Sequence, residues 1–331
     1  MNSKSMTASV LEDKLSFENN PELKRKYENI RGDIRFGLLL EYLDLFAGET
    51  AIRHADDGRF LKVVTASIDH MDICKPVGVQ KDLYFKSIVS YVGKSSINVD
   101  ITISTSSEKT GEVYFTMVAL DSKFKPVEVK KVIPNTAEEQ LRYSNAEKRR
   151  EEFKLKRTEH AKFNFLPGEW DLIKKIRSEQ GKLMSNTRVQ HMAPMYPQDQ
   201  NIYGKMFGGY LMKEAFQLAW TAAYNFLDFK VRPVIVSIDR IDFLKAVEIG
   251  DIVDFNAVIC HTGTTSLSVK TSISKIHSNI NNGKLTNDCY FTFVATDDKG
   301  QSQQVPRVIP VTPEECQEFI QTNRLYLSRK A

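Results

Sequence analysis

The pattern of apolar and polar positions divides the chain into two similar halves. Each half has one segment that would be apolar on most sides of a helix, residues 36–47 and residues 209–220. Each is followed by stretches in which polar and apolar residues alternate, at residues 96–103 and, less strictly, at residues 266–273. The first pattern predicts a buried helix and the second predicts half-buried antiparallel strands. One buried helix with several strands predicts an α+β fold for each half.

The two halves also repeat each other residue by residue. Four blocks recur in the same order, with starts at Asn29 and Asn201, Ser67 and Ser237, Gly93 and Gly263, and Phe115 and Phe291. The offset, taken between these paired starts, is 172, 170, 170 and 176 residues. The rise of the offset from 170 to 176 residues is expected to come from a longer turn in the second copy. This turn contains Asn281-Asn282-Gly283, and Asn-Gly favours hairpin turns. A period of this length indicates a duplicated domain rather than a solenoid.

A charged segment separates the copies. Residues 146–157 contain strong helix formers with charges of both signs, which is typical of a solvated helix or linker, and Pro167-Gly168 ends the segment. The expected organisation is a first domain at residues 1–139, a charged helical linker at 140–185 and a second domain at 186–331.

Composition narrows the class of protein without defining its activity. A net charge of +4 over 331 residues does not indicate a nucleic-acid partner. The four cysteines lack metal-binding spacing and are typical of reduced thiols in an intracellular protein, and the six histidines show no metal spacing either. No apolar run has the length of a membrane span, and the first residues resemble neither a secretory signal nor a transit peptide.

Two segments resemble a known family. Asn201, Gly204 and the Phe207-Gly208-Gly209 helix start, with Leu211-Met212, resemble the loop and helix start of hotdog-fold acyl-CoA thioesterases. Residues 35–44 resemble the corresponding piece of the first copy, and the tandem layout resembles the mitochondrial double-hotdog acyl-CoA thioesterases of animals. This resemblance implies a tandem double hotdog, in which each copy is an antiparallel sheet wrapped around a long central helix.

The resemblance also implies an activity. The expected reaction is hydrolysis of an acyl-CoA thioester to a carboxylic acid and coenzyme A, without a metal or other cofactor. The resemblance implies a homo-oligomer, a trimer of double hotdogs, in the mitochondrion; because no transit peptide is evident, a cytoplasmic form is the alternative. The acyl chain length is left open.

In that family an Asp on the helix of one copy acts with an Asn in the loop of the other. The offset of 172 pairs Asp44 with Phe216, so only the first copy has the carboxylate, whereas both copies have the asparagine, Asn29 and Asn201. Asn201 with Asp44 is therefore the complete combination, and one working site per chain is expected. The nearby apolar residues would desolvate Asp44 and raise its basicity.

In this hypothesis Asp44 is the general base or the nucleophile, Asn201 orients water or the thioester, and the backbone N–H of Gly209 stabilises the oxyanion. Each residue also has a structural interpretation. A helical Asp is usually solvated, an Asn often shapes a turn, and paired glycines permit close helix packing. For Asn29, which faces Phe216, the structural interpretation is favoured.

A second group of candidates is expected to bind coenzyme A. Gly93, Lys94 and Ser95 form a turn in the first copy, and Thr264 occupies the matching turn of the second. Lys94 could contact a phosphate, although an exposed hairpin lysine is the simpler interpretation. The turn is not a nucleotide-binding P-loop, because Ile88 stands where that motif needs glycine.

Three alternatives to a thioesterase remain from the sequence. A hotdog hydratase or dehydratase would need a histidine in the loop and helix blocks, which contain none. A non-catalytic acyl-CoA-binding protein would tolerate the loss of both carboxylates, yet Asp44 is present. A purely structural interaction protein would not explain why one copy has the carboxylate.

Overall fold

The computed structural model describes residues 3–161, 163–276 and 284–329. The Asn281-Asn282-Gly283 turn expected from the sequence lies outside the described residues. Within these ranges the elements follow one another twice in nearly the same order. The helices are α1 (Pro21–Tyr27), α2 (Phe36–Ala55), α3 (Ala137–Ala161), α4 (Glu169–Ser178), α5 (Gly208–Phe226) and α6 (Pro313–Ser328).

The strands of the first copy are β1 (Ser3–Ser5), β2 (Leu11–Leu15), β3 (Lys62–Ile73), β4 (Leu83–Val92), β5 (Ser96–Ser104), β6 (Lys109–Leu120) and β7 (Lys131–Ile133). Those of the second are β8 (Gly181–Leu183), β9 (Val189–Pro194), β10 (Arg232–Phe243), β11 (Ile252–Thr262), β12 (Ser266–Ile276), β13 (Lys284–Thr296) and β14 (Arg307–Ile309). The alternating segments at 96–103 and 266–273 are thus confirmed as strands β5 and β12.

Ten of these strands form one continuous sheet. Its order is β2-β4-β5-β6-β3-β10-β13-β12-β11-β9, so each copy contributes five strands. The copies join where β3 pairs with β10 antiparallel, with Ile68 opposite Ile241 and Met71 opposite Ile238. All four of these side chains are buried. The junction is therefore part of the hydrophobic core, and the two copies share one sheet.

The central helices α2 and α5 pack against each other in antiparallel directions. A Cβ added at Gly37, near the start of α2, would lie 3.2 Å from the carbonyl oxygen of Lys213 in α5. A Cβ added at Gly209, at the start of α5, would lie 2.9 Å from the Cα of Glu41 in α2. Glycine at these two positions allows the helix backbones to approach closely, so the close-packing interpretation of the glycines is confirmed.

Part of the outer face of the sheet is covered, so some polar strand positions are buried where the sequence predicts exposure. In β5, Ile101 lies opposite Ser87, whose hydroxyl contacts Thr50 of α2, so the neighbouring Asp100 points to the other face. There Asp100 is only 5% exposed and both its carboxylate oxygens accept hydrogen bonds from Arg149 of α3 at 2.9 Å. The polar positions of the strand are therefore buried beneath a charged helix.

Within the segment expected to be a charged helical linker, α3 packs on the strands of the first copy. Its counterpart in the second copy is α6, which begins with a capping box between Thr312 and Glu315. From α6, Glu318 accepts a hydrogen bond at 2.8 Å from Lys270 on the outer face of β12. The expected boundary at residue 186 also moves, because β8 already pairs with β14 of the second copy. The repeated units extend from β1 to α3 and from β8 to α6.

Candidate functional site

Asp44 lies in the middle of α2 and its side chain is only 3% exposed. Its Oδ1 accepts a hydrogen bond from the hydroxyl of Thr65 on β3 at 2.5 Å, and the nearby backbone N–H of Gly209 also favours the charged carboxylate. Burial raises the pKa of Asp44 to about 6, because desolvation disfavours the charged form more than these two donors stabilise it. The desolvated carboxylate expected from the sequence is therefore confirmed, and the solvated alternative is wrong.

The start of α5 approaches this carboxylate from the second copy. A Cβ added at Gly208 would lie 3.1 Å from Oδ2 of Asp44, so a larger residue would press on the carboxylate. The preceding residue, Phe207, provides no side-chain cap, and the first N–H groups of a helix have no intrahelical partners. The positive end of the α5 dipole therefore faces Asp44.

Gly209 is the residue whose backbone N–H the sequence hypothesis directed to an oxyanion. The structure places this residue at the start of α5, near enough to Asp44 for its backbone to lower the pKa of that carboxyl. Its N–H group therefore belongs to the surroundings of Asp44.

Asn201 lies in a tight turn before α5. Its Oδ1 accepts hydrogen bonds from the backbone N–H of Tyr203 at 2.9 Å and of Lys205 at 3.2 Å. The Tyr203 hydroxyl accepts a hydrogen bond at 3.0 Å from the N–H of Val63, two residues before Thr65. This loop of the second copy is therefore fixed at the end of β3 that carries the partner of Asp44.

Asn29 makes the same turn in the first copy. Its Oδ1 accepts from the backbone N–H of Arg31 at 2.8 Å and of Asp33 at 3.1 Å. The turn-forming interpretation thus holds for both asparagines. In each case the described part of the chain offers no hydrogen-bond partner to the amide Nδ2. The two asparagines differ in what lies near them, not in their own geometry.

The second copy has no carboxylate at the position equivalent to Asp44. Phe216 is 6% exposed and packs against Phe36, Phe291 and Phe293 with ring centroids 4.9, 5.6 and 5.9 Å away. The half-site that contains Asn29 is therefore apolar where the other is acidic.

Thr65 was missed by the sequence hypothesis, although a signal for it exists. The offset of 170 residues pairs Thr65 with Ile235 in β10. The first copy therefore has a polar residue where the second has Ile235, next to Asp44, which itself stands where the second copy has Phe216. The comparison of copies that identified Asp44 identifies its hydrogen-bond partner as well.

The turns expected to bind coenzyme A lie at opposite ends of the sheet. In the first copy the turn of Gly93, Lys94 and Ser95 precedes Ser96, and strand pairing places Ser96 two strands from Val64 beside Thr65. Two strand spacings correspond to about 10 Å. Lys94 is exposed. This turn therefore lies at the same end of the sheet as Asp44.

Thr264 in the second copy belongs to the other end. Its turn precedes Ser266, which strand pairing places two strands from Val234 on β10. Because β3 and β10 are antiparallel, Val234 and Val64 lie at opposite ends of the paired strands. Thr264 therefore lies far from Lys94 within one chain, and its contact with coenzyme A stays a prediction.

Two further features of the described residues concern metals and membranes. No cluster of three or more His, Cys, Asp or Glu side chains is arranged to hold a metal ion within residues 3–161, 163–276 and 284–329. Within the same ranges, none of the helices combines the length and the apolar character that crossing a membrane requires.

Comparison with known proteins gives the same result for both halves of the chain. The thioesterase superfamily model matches twice, at residues 32–112 and 203–278. The chloroplastic acyl-coenzyme A thioesterase 2 of Humulus lupulus is 28% identical, over 92% of this chain and 77% of its own length. The mitochondrial acyl-coenzyme A thioesterase 9 of Homo sapiens is also 28% identical, over 98% of this chain and 78% of its own.

A solved structure supports the tandem fold. An acyl-ACP thioesterase from Bacteroides thetaiotaomicron superposes with a TM-score of 0.54 at 11% identity, and the match covers 88% of this chain and 100% of that one. Because the superfamily model matches each copy and the similarity to acyl-CoA thioesterases extends over nearly all of the sequence, the chain belongs to the thioesterase superfamily as an acyl-CoA thioesterase with two hotdog domains in tandem.

Proposed function

We propose that the chain hydrolyses acyl-CoA thioesters to carboxylic acids and coenzyme A at one composite site. The first domain provides Asp44 and Thr65, and the second provides the Asn201 turn and the start of α5. The observation that supports this site best is the buried carboxylate of Asp44, which accepts a hydrogen bond from Thr65 of the first domain and lies against Gly208 at the start of α5 in the second.

The chemistry of the proposed site follows from the pKa of Asp44. A group with a pKa of about 6 is mostly ionised at pH 7 but is more basic than an ordinary carboxylate. As general base it takes a proton from water while the water oxygen attacks the thioester carbonyl carbon. The tetrahedral intermediate then collapses, the carbon–sulfur bond breaks, and the proton passes from Asp44 to the departing thiolate.

Direct attack by the carboxylate of Asp44 is the alternative. It would form a mixed anhydride and release the thiolate, and water would then hydrolyse the anhydride. Both routes need a stabilised oxyanion. We assign this role to the backbone N–H of Gly209, with the Nδ2 of Asn201 and the other donors in the first turn of α5.

The other proposed contacts concern the ligand and the assembly. Lys94, with Gly93 and Ser95, is proposed to meet a phosphate of coenzyme A, since the Lys94 side chain is exposed at the Asp44 end of the sheet. By resemblance to the family we also propose a trimer of double hotdogs in the mitochondrion, with the cytoplasm as the alternative. Several relatives, including the human one, are named mitochondrial.

The experiment compares Asp44→Asn, Asn201→Ala and Asn29→Ala on a series of acyl-CoA chain lengths, with a thiol reagent that detects released coenzyme A. Asn29→Ala is a matched control, because both asparagines accept two backbone hydrogen bonds of similar length. Each Ala variant should lose similar stability, whereas only Asp44→Asn and Asn201→Ala should lose most of kcat.

Two results would count against the proposal. Equal losses of kcat in Asn29→Ala and Asn201→Ala would contradict a single composite site. No release of coenzyme A by the unaltered protein from any acyl-CoA would contradict the activity and favour a non-catalytic acyl-CoA-binding protein.

A further inference from the structure

A cavity of about 560 Å³ lies at the half-site that has lost its carboxylate. Its walls include the Asn29 turn, the start of α2, the α5 turn that carries Phe216, and the first residues of β10. Each of these is the counterpart, by the repeat, of an element around Asp44. The volume falls in the range of roughly 300–1,000 Å³ that is common for small-molecule sites.

The lining of this cavity separates into an apolar wall and a cationic rim. Phe216 and Trp220 of α5 contribute the aromatic part of the wall, and Val234 and Ile235 of β10 contribute the aliphatic part. The ionisable side chains of the lining are four cations and two carboxylates: Arg31, Arg35, Lys213, Arg232, Glu28 and Asp33. Arg31 also pairs with Asp298 and Lys213 with Glu41, so the anion-binding capacity lies mainly with the other two cations, Arg35 and Arg232. The cavity is therefore suited to a ligand with an apolar chain and a negative end.

Two of the arginines have no basic counterpart in the other half of the molecule. At the positions equivalent to Arg31 and Arg35, the site of Asp44 has Tyr203 and Phe207. Arg232 contributes further. Its Nη1 donates to Asp33 at 2.8 Å, but its buried Nε has no hydrogen-bond partner in the described part of the chain. A buried cationic donor without a partner is unfavourable, and an anionic ligand would satisfy it.

The cavity lacks the groups needed for hydrolysis. Phe216 and Ile235 occupy the positions of Asp44 and Thr65, and the ring of Phe216 is held among other aromatic rings. We propose that this cavity is a second ligand site, which binds an anionic acyl compound without cleaving it. The acyl chain lies along Trp220 and β10, and the negative end lies at Arg35 and Arg232.

The ligand class rests on the proposed function, which supplies two acyl compounds that share this chemistry. One is the acyl-CoA substrate, with negative phosphates, and the other is the carboxylate product. The probes are a thioether analogue of an acyl-CoA, which cannot be hydrolysed, the free fatty acid of the same chain length, and coenzyme A alone.

The test measures binding stoichiometry by equilibrium dialysis on the full chain and on Thr221→Trp. Thr221 lies on the cavity wall, is exposed, and its hydroxyl bonds only to the backbone oxygen of Gln217, so an indole there fills the cavity without entering the core. Thr221→Val, which keeps the size of the side chain, is the matched control. Unchanged thioesterase activity shows that the variants are folded.

Thr221→Trp should lose one equivalent of the thioether or of the fatty acid, with at least a tenfold rise in Kd at that site, while Thr221→Val retains it. If Thr221→Trp no longer binds one equivalent of the thioether, the occupant is acyl-CoA. If it loses one equivalent of the fatty acid alone, the occupant is the carboxylate product. Equal stoichiometry of both compounds in Thr221→Trp and the unaltered chain would overturn the proposal, as would a site that binds coenzyme A without regard to the acyl chain. Failure of the proposed function is a separate result, since it is measured by hydrolysis in Asp44→Asn.

Discussion

Asp44→Asn should make the protein more stable at neutral and alkaline pH while it removes activity. In the folded chain the pKa of Asp44 is about 6, against an ordinary value of 3.8. Because the folded state holds this proton more tightly, stability falls as the pH rises through the window from about 4 to about 6. A difference of about 2 pKa units corresponds to about 3 kcal/mol, which the unaltered chain loses above that window.

The carboxamide avoids this loss because it is neutral at every pH. It also suits both neighbours, since Oδ1 can accept from the N–H of Gly209 while Nδ2 donates to the hydroxyl of Thr65. At pH 8 the variant should therefore gain up to about 3 kcal/mol in free energy of unfolding, and near pH 4 the gain should vanish. Its kcat should fall by about 10²–10⁴-fold, the usual contribution of a general base.

Urea unfolding at pH 4 and pH 8, with hydrolysis assayed on the same samples, measures both effects. Asp171→Asn, at an exposed position of α4, is the control and should change stability by less than about 0.5 kcal/mol at either pH. The carboxylate would not be desolvated as described if Asp44→Asn were less stable than the unaltered chain at pH 8. The same conclusion would follow if the difference in free energy of unfolding between the two proteins were equal at pH 4 and pH 8. Full activity in this variant would exclude Asp44 from the chemistry.

The pH dependence of hydrolysis follows from the same carboxylate. The reaction requires ionised Asp44, so kcat/KM should rise about tenfold per pH unit below pH 6 and level off near pH 7. At pH 5 the rate should be about a tenth of the plateau. A rate that does not change between pH 5 and pH 8 would contradict a base with this pKa.

Three further predictions concern the surroundings of the site, and the second has its own control variant. Thr65→Val removes a donor that lowers the pKa of Asp44, so the acidic limb of the kcat/KM profile should move to higher pH; an unmoved limb would contradict this. Gly209→Ala should cost about 1–3 kcal/mol in thermal unfolding and lower kcat, because its Cβ would meet the backbone of α2 at 2.9 Å. Gly48→Ala, whose Cβ has no neighbour nearer than 3.9 Å, should instead stabilise α2 by about 0.5–1 kcal/mol, and an equal cost in both would refute the packing argument. Lys94→Ala should raise KM and leave kcat unchanged if the lysine meets a coenzyme A phosphate, and an unchanged KM would contradict that contact.

Sequence periodicity was sufficient for the elements that form the core. The apolar segments that predict α2 and α5, and the alternation that predicts β5 and β12, depend on local spacing alone. The burial of polar residues on the outer face of the sheet could not be predicted from local spacing. A helix with charges of both signs is solvated or buried according to what it meets, and only the fold brings Arg149 to Asp100.

The candidate site was predictable to the extent that the two copies differ. Comparison of equivalent positions identifies Asp44 against Phe216, and the same comparison would have identified Thr65. The approach of Gly208 to the carboxylate of Asp44 was not predictable, because it depends on the separation of α2 and α5, two helices from different copies. The separation of Thr264 from Lys94 likewise depends on the antiparallel pairing of β3 with β10.

The difference between the copies also has an energetic consequence. A buried carboxylate with a pKa near 6 destabilises the folded chain by about 3 kcal/mol at neutral pH, and two such groups would roughly double that loss. In the second copy the equivalent helix position carries Phe216, which packs on three aromatic rings and stabilises the core instead. Because α2 and α5 pack on each other, this aromatic cluster also supports the helix that holds Asp44. The second half-site therefore stabilises the helix pair on which the chemistry of the first depends.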